Sequence, residues 1–151
     1  MPLKIGAAQP ALEGATEWLT GSAEEVEQTK GQPTLVHFWA VSCGICKDNM
    51  PKVAGWRDTY QDKGLRVIAV HMPRYPADTD LNAVKESLAT YHITEPCAVD
   101  NQHKLRDAFA NEQGFVPAYY LFNAEGQLKS YAAGQFGPQI IKLALERMFA
   151  A

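Results

Sequence analysis

The feature that most constrains the fold is a buried strand followed at once by two cysteines three residues apart. Residues 34–41 form a nearly continuous β-branched and aromatic run, which is typical of a central strand covered on both faces. Cys43 and Cys46 come directly after it, and apolar residues at positions 46, 50, 53 and 60 keep helical spacing. The pattern predicts a helix that opens with the C-x-x-C motif and runs from Cys43 to about residue 61.

Three residues mark the course of this helix. Ser42 is the predicted N-cap, since a serine side chain accepts hydrogen bonds from the first turn. Pro51 falls inside the helix and is expected to kink it, because proline removes one backbone hydrogen bond. Gly64 is the expected C-terminal stop.

The rest of the chain alternates short strands and helices. Residues 1–31 are expected to form an N-terminal extension, with a short hairpin ending near Trp18 and Leu19. The order of elements predicts one α/β domain over residues 1–151, with a mixed sheet and helices on both of its faces. The further predicted elements are a strand at 65–70, a helix at 81–91 capped by Asp80, a strand at 97–99, a helix at 104–109, strands at 118–122 and 127–132, and a helix at 139–149.

Charge and hydropathy exclude several classes of protein. The chain has 14 Lys and Arg against 17 Asp and Glu, with no basic stripe, so nucleic acid is not an expected partner. The N-terminus lacks the basic start and apolar run of a secretory signal, and the longest apolar stretch, residues 35–41, is too short to span a bilayer. These features favour a cytoplasmic protein, expected to be a monomer without membrane contact.

The spacing of Cys43 and Cys46 gives the two sulfurs different tasks. The first lies at a helix N-terminus, where unpaired N–H groups and the helix dipole favour the nucleophilic thiolate. The second, one turn later, can attack the mixed disulfide formed by the first. A zinc site would need two further ligands, and only Cys97 with His92 or His103 could supply them, so no metal is expected. Cys97 itself reads as a buried, inert thiol.

Several motifs together resemble a known family. Residues 38–47 (FWAVSCGICK) with Pro51 resemble the active-site strand and helix of thioredoxins, and residues 116–122 (VPAYYLF) resemble their cis-proline strand. Residues 96–100 (PCAVD), the N-terminal extension and residues 71–74 (HMPR) resemble the TlpA/ResA-like branch, in particular its cytosolic YkuV-type members. The resemblance implies a thioredoxin-like fold with a helix–strand insertion at about 78–99.

The same resemblance implies a substrate site. Pro117 is expected to be cis, with the backbone of Val116 pairing with the substrate as an added strand. Trp39 is expected to border the dithiol and to contribute to substrate binding. Because His71 and Arg74 follow a parallel strand, they either shape the substrate surface or belong to a solvated loop.

The chain departs from the family pattern at three positions. Ser42 replaces the usual tryptophan before the first cysteine, which predicts a smaller and more polar rim. Asn49 stands where a glutamate is common in ResA-like proteins. His37 stands where thioredoxins carry a buried acid; it is either a proton relay for Cys46 or a neutral core histidine bonded to water or backbone.

Reduction of protein disulfides by the Cys43–Cys46 pair is the expected function. No cofactor is implied, because the electrons travel through the sulfurs, and the electron donor is expected to be a thioredoxin-reductase-like system or another dithiol protein. The alternatives are an exported thiol oxidase, a peroxiredoxin-like peroxidase, and a non-catalytic metal- or partner-binding module. Gly44 and Ile45 between the cysteines favour a reducing couple, because neither can donate a charged hydrogen bond to the thiolate.

Overall fold

Six strands and five helices form the architecture of the computed structural model, which describes residues 2–150. The strands are β1 (Glu17–Thr20), β2 (Thr34–Trp39), β3 (Arg66–His71), β4 (Cys97–Val99), β5 (Ala118–Phe122) and β6 (Leu128–Ala133). The helices are α1 (Ala23–Gln28), α2 (Gly44–Tyr60), α3 (Leu81–Thr90), α4 (Lys104–Ala108) and α5 (Gly137–Met148), with 3-10 turns at Gln61–Lys63 and Pro76–Thr79.

All six strands belong to one sheet in the order β1-β4-β3-β2-β5-β6. Strands β2, β3 and β4 are parallel, while β5, β6 and β1 pair antiparallel with their neighbours. The predicted thioredoxin-like α/β fold with a mixed sheet is confirmed. Because parallel strands end at the same edge of a sheet, the loops after β2, β3 and β4 meet there.

Strand β2 is buried at all six positions, as its nearly continuous β-branched and aromatic run predicts. Val36 and Phe38 pack into a cluster on one face of the sheet. Leu35 and Trp39 point to the other face, into clusters that hold residues of α2, α3 and α5. The sheet therefore presents the end of β2, just before the cysteines, from a rigid and fully covered position.

The prediction of an N-terminal hairpin is wrong. Residues Glu17–Thr20 form the edge strand β1, which pairs with β4 through Trp18 opposite Ala98, and helix α1 follows. This pairing covers the otherwise open edge of β4 and satisfies its backbone groups. Because β4 lies about 80 residues further along the chain, the sequence around residues 17–20 did not indicate this pairing.

The predicted helix boundaries hold with one correction. Cys43 is the N-cap of α2, and the Ser42 hydroxyl is bonded elsewhere, so the prediction of Ser42 as N-cap is wrong. Pro51 lies within the continuous helix α2, Gly64 ends the following 3-10 turn with φ +98°, and Asp80 caps α3 by accepting from the Asn82 N–H. Within residues 2–150, no helix has the length and apolar character to cross a bilayer.

Candidate active site

The centre of the site is the junction between β2 and α2. Cys43 is the N-cap residue of α2, in extended conformation, and forms a disulfide with Cys46 one turn later, with the two Cα atoms 5.2 Å apart. The Sγ atom of Cys43 also accepts a hydrogen bond from the Cys46 N–H at 3.0 Å. An N–H at a helix N-terminus thus points at the first sulfur, as stabilisation of a thiolate there requires.

Solvent exposure does not distinguish the two cysteines. Cys43 is 3% exposed and Cys46 is 2% exposed, although a helix N-terminus leads one to expect a more exposed first sulfur. What differs is their position relative to the helix: Cys43 faces the free N–H groups, while Cys46 lies within the first turn. The chemical asymmetry of the pair comes from backbone dipoles and not from accessibility.

The loop before β5 lies against this pair. The Val116–Pro117 peptide bond is cis, as the resemblance implies. Phe38 pairs with Ala118, so Pro117 follows in register opposite the end of β2, and Val116 packs against the cluster that contains both cysteines. The backbone N–H and carbonyl of Val116 have no hydrogen-bond partner among residues 2–150, which leaves them free to pair with an extended segment.

Trp39 lies behind the dithiol and not at the substrate surface. Its side chain is fully buried, in the same cluster as Cys43 and Cys46 and with its ring edge-to-face on His71. A direct substrate contact for Trp39, as predicted from sequence, does not fit this position. The reason is that α2, α3 and the segment leading into β4 pack against this end of the strand.

His37 takes part in a buried charged network. Its Nε2 lies 2.6 Å from Glu95 Oε2, and the second carboxylate oxygen of Glu95 accepts from Arg57 Nη1 at 2.6 Å. Arg57 comes from α2 and also donates to the His92 carbonyl. The histidine therefore has a carboxylate partner, which differs from the water or backbone partner expected for a neutral core histidine.

Glu95 is ionised because of these partners. Burial by itself would raise its pKa, but the hydrogen bond and charge of His37, together with Arg57, outweigh burial and lower the pKa of Glu95 to about 2. No hydrogen bond joins His37 to either cysteine among the described residues. The role of His37 as a proton relay for Cys46 stays a prediction.

The loop after β3 forms the other side of the site. His71 is fully buried, and its Nε2 accepts a hydrogen bond from the Val41 N–H at 3.1 Å. Burial lowers the pKa of His71 to about 4, with partial opposition from Asp78, so the ring is neutral at pH 7. His71 therefore binds the active-site loop through the backbone N–H of Val41, two residues before Cys43.

Cys97 and Asn49 lie in the interior near the site. Cys97 is fully buried in the cluster that contains the disulfide, and burial raises its pKa to about 12. Such a thiol is not a nucleophile at neutral pH. Asn49 is also buried, on α2. Within residues 2–150 no group of three or more His, Cys, Asp or Glu side chains is placed to hold a metal ion.

Three residues of the site escaped the sequence analysis: Glu95, its partner Arg57, and Asp78. Glu95 is 58 residues from His37 along the chain. Asp78 is 36 residues from Ser42 and accepts a hydrogen bond from its hydroxyl. An acidic residue directly before Pro96 and a buried strand was the one available sign for Glu95. For Asp78 the sequence offers only an aspartate in a proline-containing loop, where a cap or turn role is the ordinary expectation.

Comparison with known proteins places this geometry in a family. The Redoxin family model matches residues 6–144. The chain is 43% identical over 148 residues to the thiol-disulfide oxidoreductase YkuV of Bacillus subtilis (strain 168), covering 98% of both chains. It is 34% identical over 129 residues to the protein DipZ of Mycobacterium tuberculosis (strain CDC 1551 / Oshkosh), which covers 83% of this chain and 18% of DipZ.

A solved structure agrees with these relatives. The solution structure of a thioredoxin-like protein in the oxidised form superposes with a TM-score of 0.84 at 43% identity, covering 98% of each chain. The resemblance to YkuV-type, thioredoxin-like proteins is confirmed.

Proposed function

The chain belongs to the Redoxin family, and from that premise we propose that it reduces disulfides in client proteins, with Cys43 as nucleophile and Cys46 as resolving thiol. It is a thiol-disulfide oxidoreductase. The observation that supports the proposed roles is Cys43 as the N-cap of α2, with the Cys46 N–H directed at its sulfur at 3.0 Å. The free backbone of Val116 supplies the edge on which a client segment pairs.

The reaction consists of two exchanges. In the reduced protein, the Cys43 thiolate attacks one sulfur of the client disulfide, the client S–S bond breaks, and the other client sulfur leaves as a thiolate that takes a proton from solvent. Cys46, after losing its proton, then attacks Cys43 Sγ and releases the second client thiolate. The client gains two electrons and two protons, and the Cys43–Cys46 disulfide is the oxidised product. An electron-donating dithiol protein or a thioredoxin-reductase-like system returns the pair to the dithiol.

The direction of transfer follows from what stabilises the thiolate. Strong oxidants have an over-stabilised reduced form, and neither Gly44 nor Ile45 can supply charged hydrogen bonds for that purpose. Stabilisation therefore comes mainly from the N-terminus of α2. A reducing dithiol is most easily kept reduced in a reducing compartment, which supports a cytoplasmic location. A monomeric enzyme is part of the same proposal.

The redox potential of the Cys43–Cys46 couple tests this function. Equilibration with glutathione buffers at pH 7 should give a value nearer to about −270 mV, as in thioredoxin, than to about −120 mV, as in DsbA. The Cys97→Ala variant serves as the control, since it leaves the couple intact. A potential more positive than about −180 mV would contradict a reductase and indicate a thiol oxidase.

A further inference from the structure

An arginine is held against the residue that precedes the nucleophile. Arg74, from the loop after β3, donates through Nη2 to the Ser42 carbonyl at 2.9 Å. Its Nε and Nη2 also lie 3.2 Å and 3.1 Å from the Ser42 hydroxyl oxygen. Ser42 takes the place of a tryptophan in the family pattern. The surface beside Cys43 therefore carries the Arg74 guanidinium bound to a serine, where the family pattern has an aromatic ring.

Asp78 is a buried carboxylate that binds both Ser42 and the loop that carries Arg74. The residue is 3% exposed, and its Oδ2 accepts from the Ser42 hydroxyl at 2.8 Å, the Arg74 N–H at 2.9 Å and the Tyr75 N–H at 3.3 Å. Burial would raise the pKa of Asp78, but these hydrogen bonds outweigh it and lower the pKa. One ionised carboxylate therefore fixes both the loop and the serine to which Arg74 binds.

The guanidinium keeps donors free at the rim. Arg74 is exposed, and its Nη1 has no hydrogen-bond partner in the part of the chain that the structure describes. The Asp78 carboxylate accepts a hydrogen bond from the same Ser42 hydroxyl that Arg74 contacts, and the guanidinium carbon of Arg74 lies 5.4 Å from the centroid of the Tyr75 ring. His71, beneath the loop, is neutral. Nη1 is therefore free to donate a charge-assisted hydrogen bond to a carboxylate.

From these contacts we propose that Arg74 is a specificity residue that binds an acidic side chain next to the client disulfide, a proposal that rests on the function given above. A client sulfur attacked by Cys43 brings its flanking residues past Ser42, and Arg74 is bonded to that residue. Aspartate or glutamate beside the client cysteine meets the free Nη1 of Arg74. Lysine or arginine in the same place meets a like charge.

Three short peptides with one internal disulfide test the proposal. They differ only in having Glu, Gln or Lys beside the cysteines, and dithiothreitol regenerates the enzyme. At low ionic strength the protein should show a kcat/KM for the Glu peptide about two- to fivefold above that for the Lys peptide, as expected for an exposed charge pair. The ratio should fall towards one in about 0.5 M salt.

Substitutions assign the preference to Arg74. Arg74→Gln should bring the Glu-to-Lys ratio to about one, while Arg74→Lys, which keeps the charge, should retain part of it. Arg147→Gln is the matched control: Arg147 is exposed in the last turn of α5, next to Phe149, which stacks on Tyr60 at the far end of α2. Arg147→Gln should show the same Glu-to-Lys ratio of kcat/KM as the unaltered protein.

The outcomes separate the two proposals. If the unaltered protein reduces none of the peptides, the proposed function fails. If it reduces all three equally, or if Arg74→Gln slows all three while leaving their ratio unchanged, the function stands and the role of Arg74 in specificity is wrong. Should Arg74→Gln not fold, the salt dependence of the unaltered protein and the Arg74→Lys ratio decide the question.

Discussion

At the scale of single residues, two cysteines with nearly equal burial are given different chemistry by the backbone. Cys43 accepts the N–H of Cys46 and faces the free end of α2, whereas Cys46 lies inside the first turn. Charge on a sulfur at the N-cap is favoured by the helix dipole, and that stabilisation falls off within the first turn. The first sulfur is thus the better thiolate even though neither is openly exposed.

Serine variants of the two cysteines should fail in different ways. Cys43→Ser should abolish the reduction of insulin, because no nucleophile remains. Cys46→Ser should retain attack and accumulate mixed disulfides, which acid quenching and thiol-trapping gels detect. A Cys46→Ser protein that traps no client would contradict the resolving role of Cys46.

Cys97 should be dispensable for activity. Burial raises its pKa to about 12, so it carries no thiolate at neutral pH. Cys97→Ala should keep most of the insulin-reduction rate and lower the free energy of unfolding by about 1 kcal/mol, on the order of one small buried group. Loss of turnover in a variant that folds normally would indicate a mechanism with three cysteines.

At the scale of elements, one buried carboxylate joins three parts of the fold. Glu95, just before β4, binds His37 of β2 and Arg57 of α2. Its side chain is 3% exposed, so its charge is compensated by these partners and not by water. The network ties α2, which carries the dithiol at its start, to the centre of the sheet.

Glu95→Gln should destabilise the protein in a pH-dependent way. Removing the charge leaves the Arg57 cation without its buried partner, which costs about 3 kcal/mol at pH 7. The pKa of Glu95 is about 2 in the folded protein against an ordinary value of 4.5, so its contribution is present above about pH 4.5 and lost as the pH falls towards 2. Urea unfolding measured from pH 7 to pH 2 should therefore show that the difference in free energy of unfolding between the unaltered protein and Glu95→Gln shrinks as the pH falls.

Asp58→Asn is the control for this network. Asp58 also contacts Arg57, at 3.1 Å, but its side chain is 68% exposed. An exposed ion pair contributes less than about 1 kcal/mol, so this variant should unfold close to the unaltered protein. A pH-independent gap for Glu95→Gln would show that packing, and not the ionised carboxylate, accounts for its effect.

At the scale of the whole molecule, the sheet gathers the site at one edge. The ends of β2 and β3 lead into the loops of Cys43 and Arg74, and Pro117 lies there directly before the antiparallel strand β5. The oxidised and the reduced protein differ in their free energy of unfolding. The redox potential of the Cys43–Cys46 pair is therefore linked to the stability of the whole domain.

The oxidised protein should resist urea better than the reduced protein. A reducing couple means that folding favours the disulfide form, and each 30 mV corresponds to about 1.4 kcal/mol. The comparison requires urea unfolding with and without dithiothreitol, and Cys46→Ser, which cannot form the pair, should show no difference. Greater stability of the reduced form would indicate an oxidant.

The sequence by itself determined the features that depend on neighbours along the chain. The apolar run of β2, the C-x-x-C at the start of α2, the Gly64 stop and the Asp80 cap all follow from local backbone chemistry. These elements, in their order, predict an α/β domain with a mixed sheet and a redox pair, and the thioredoxin-like fold was implied by the resemblance of the active-site and cis-proline motifs to that family.

Only the tertiary structure decided which distant side chains meet. The Glu95 partner of His37 lies 58 residues away, and Arg74 reaches Ser42 across 32 residues. The pairing of β1 with β4 and the burial of Trp39 likewise depend on segments brought together by the sheet. Hydrophobic burial and backbone pairing place these groups, and a polar side chain shows its partner only once that placement removes it from water.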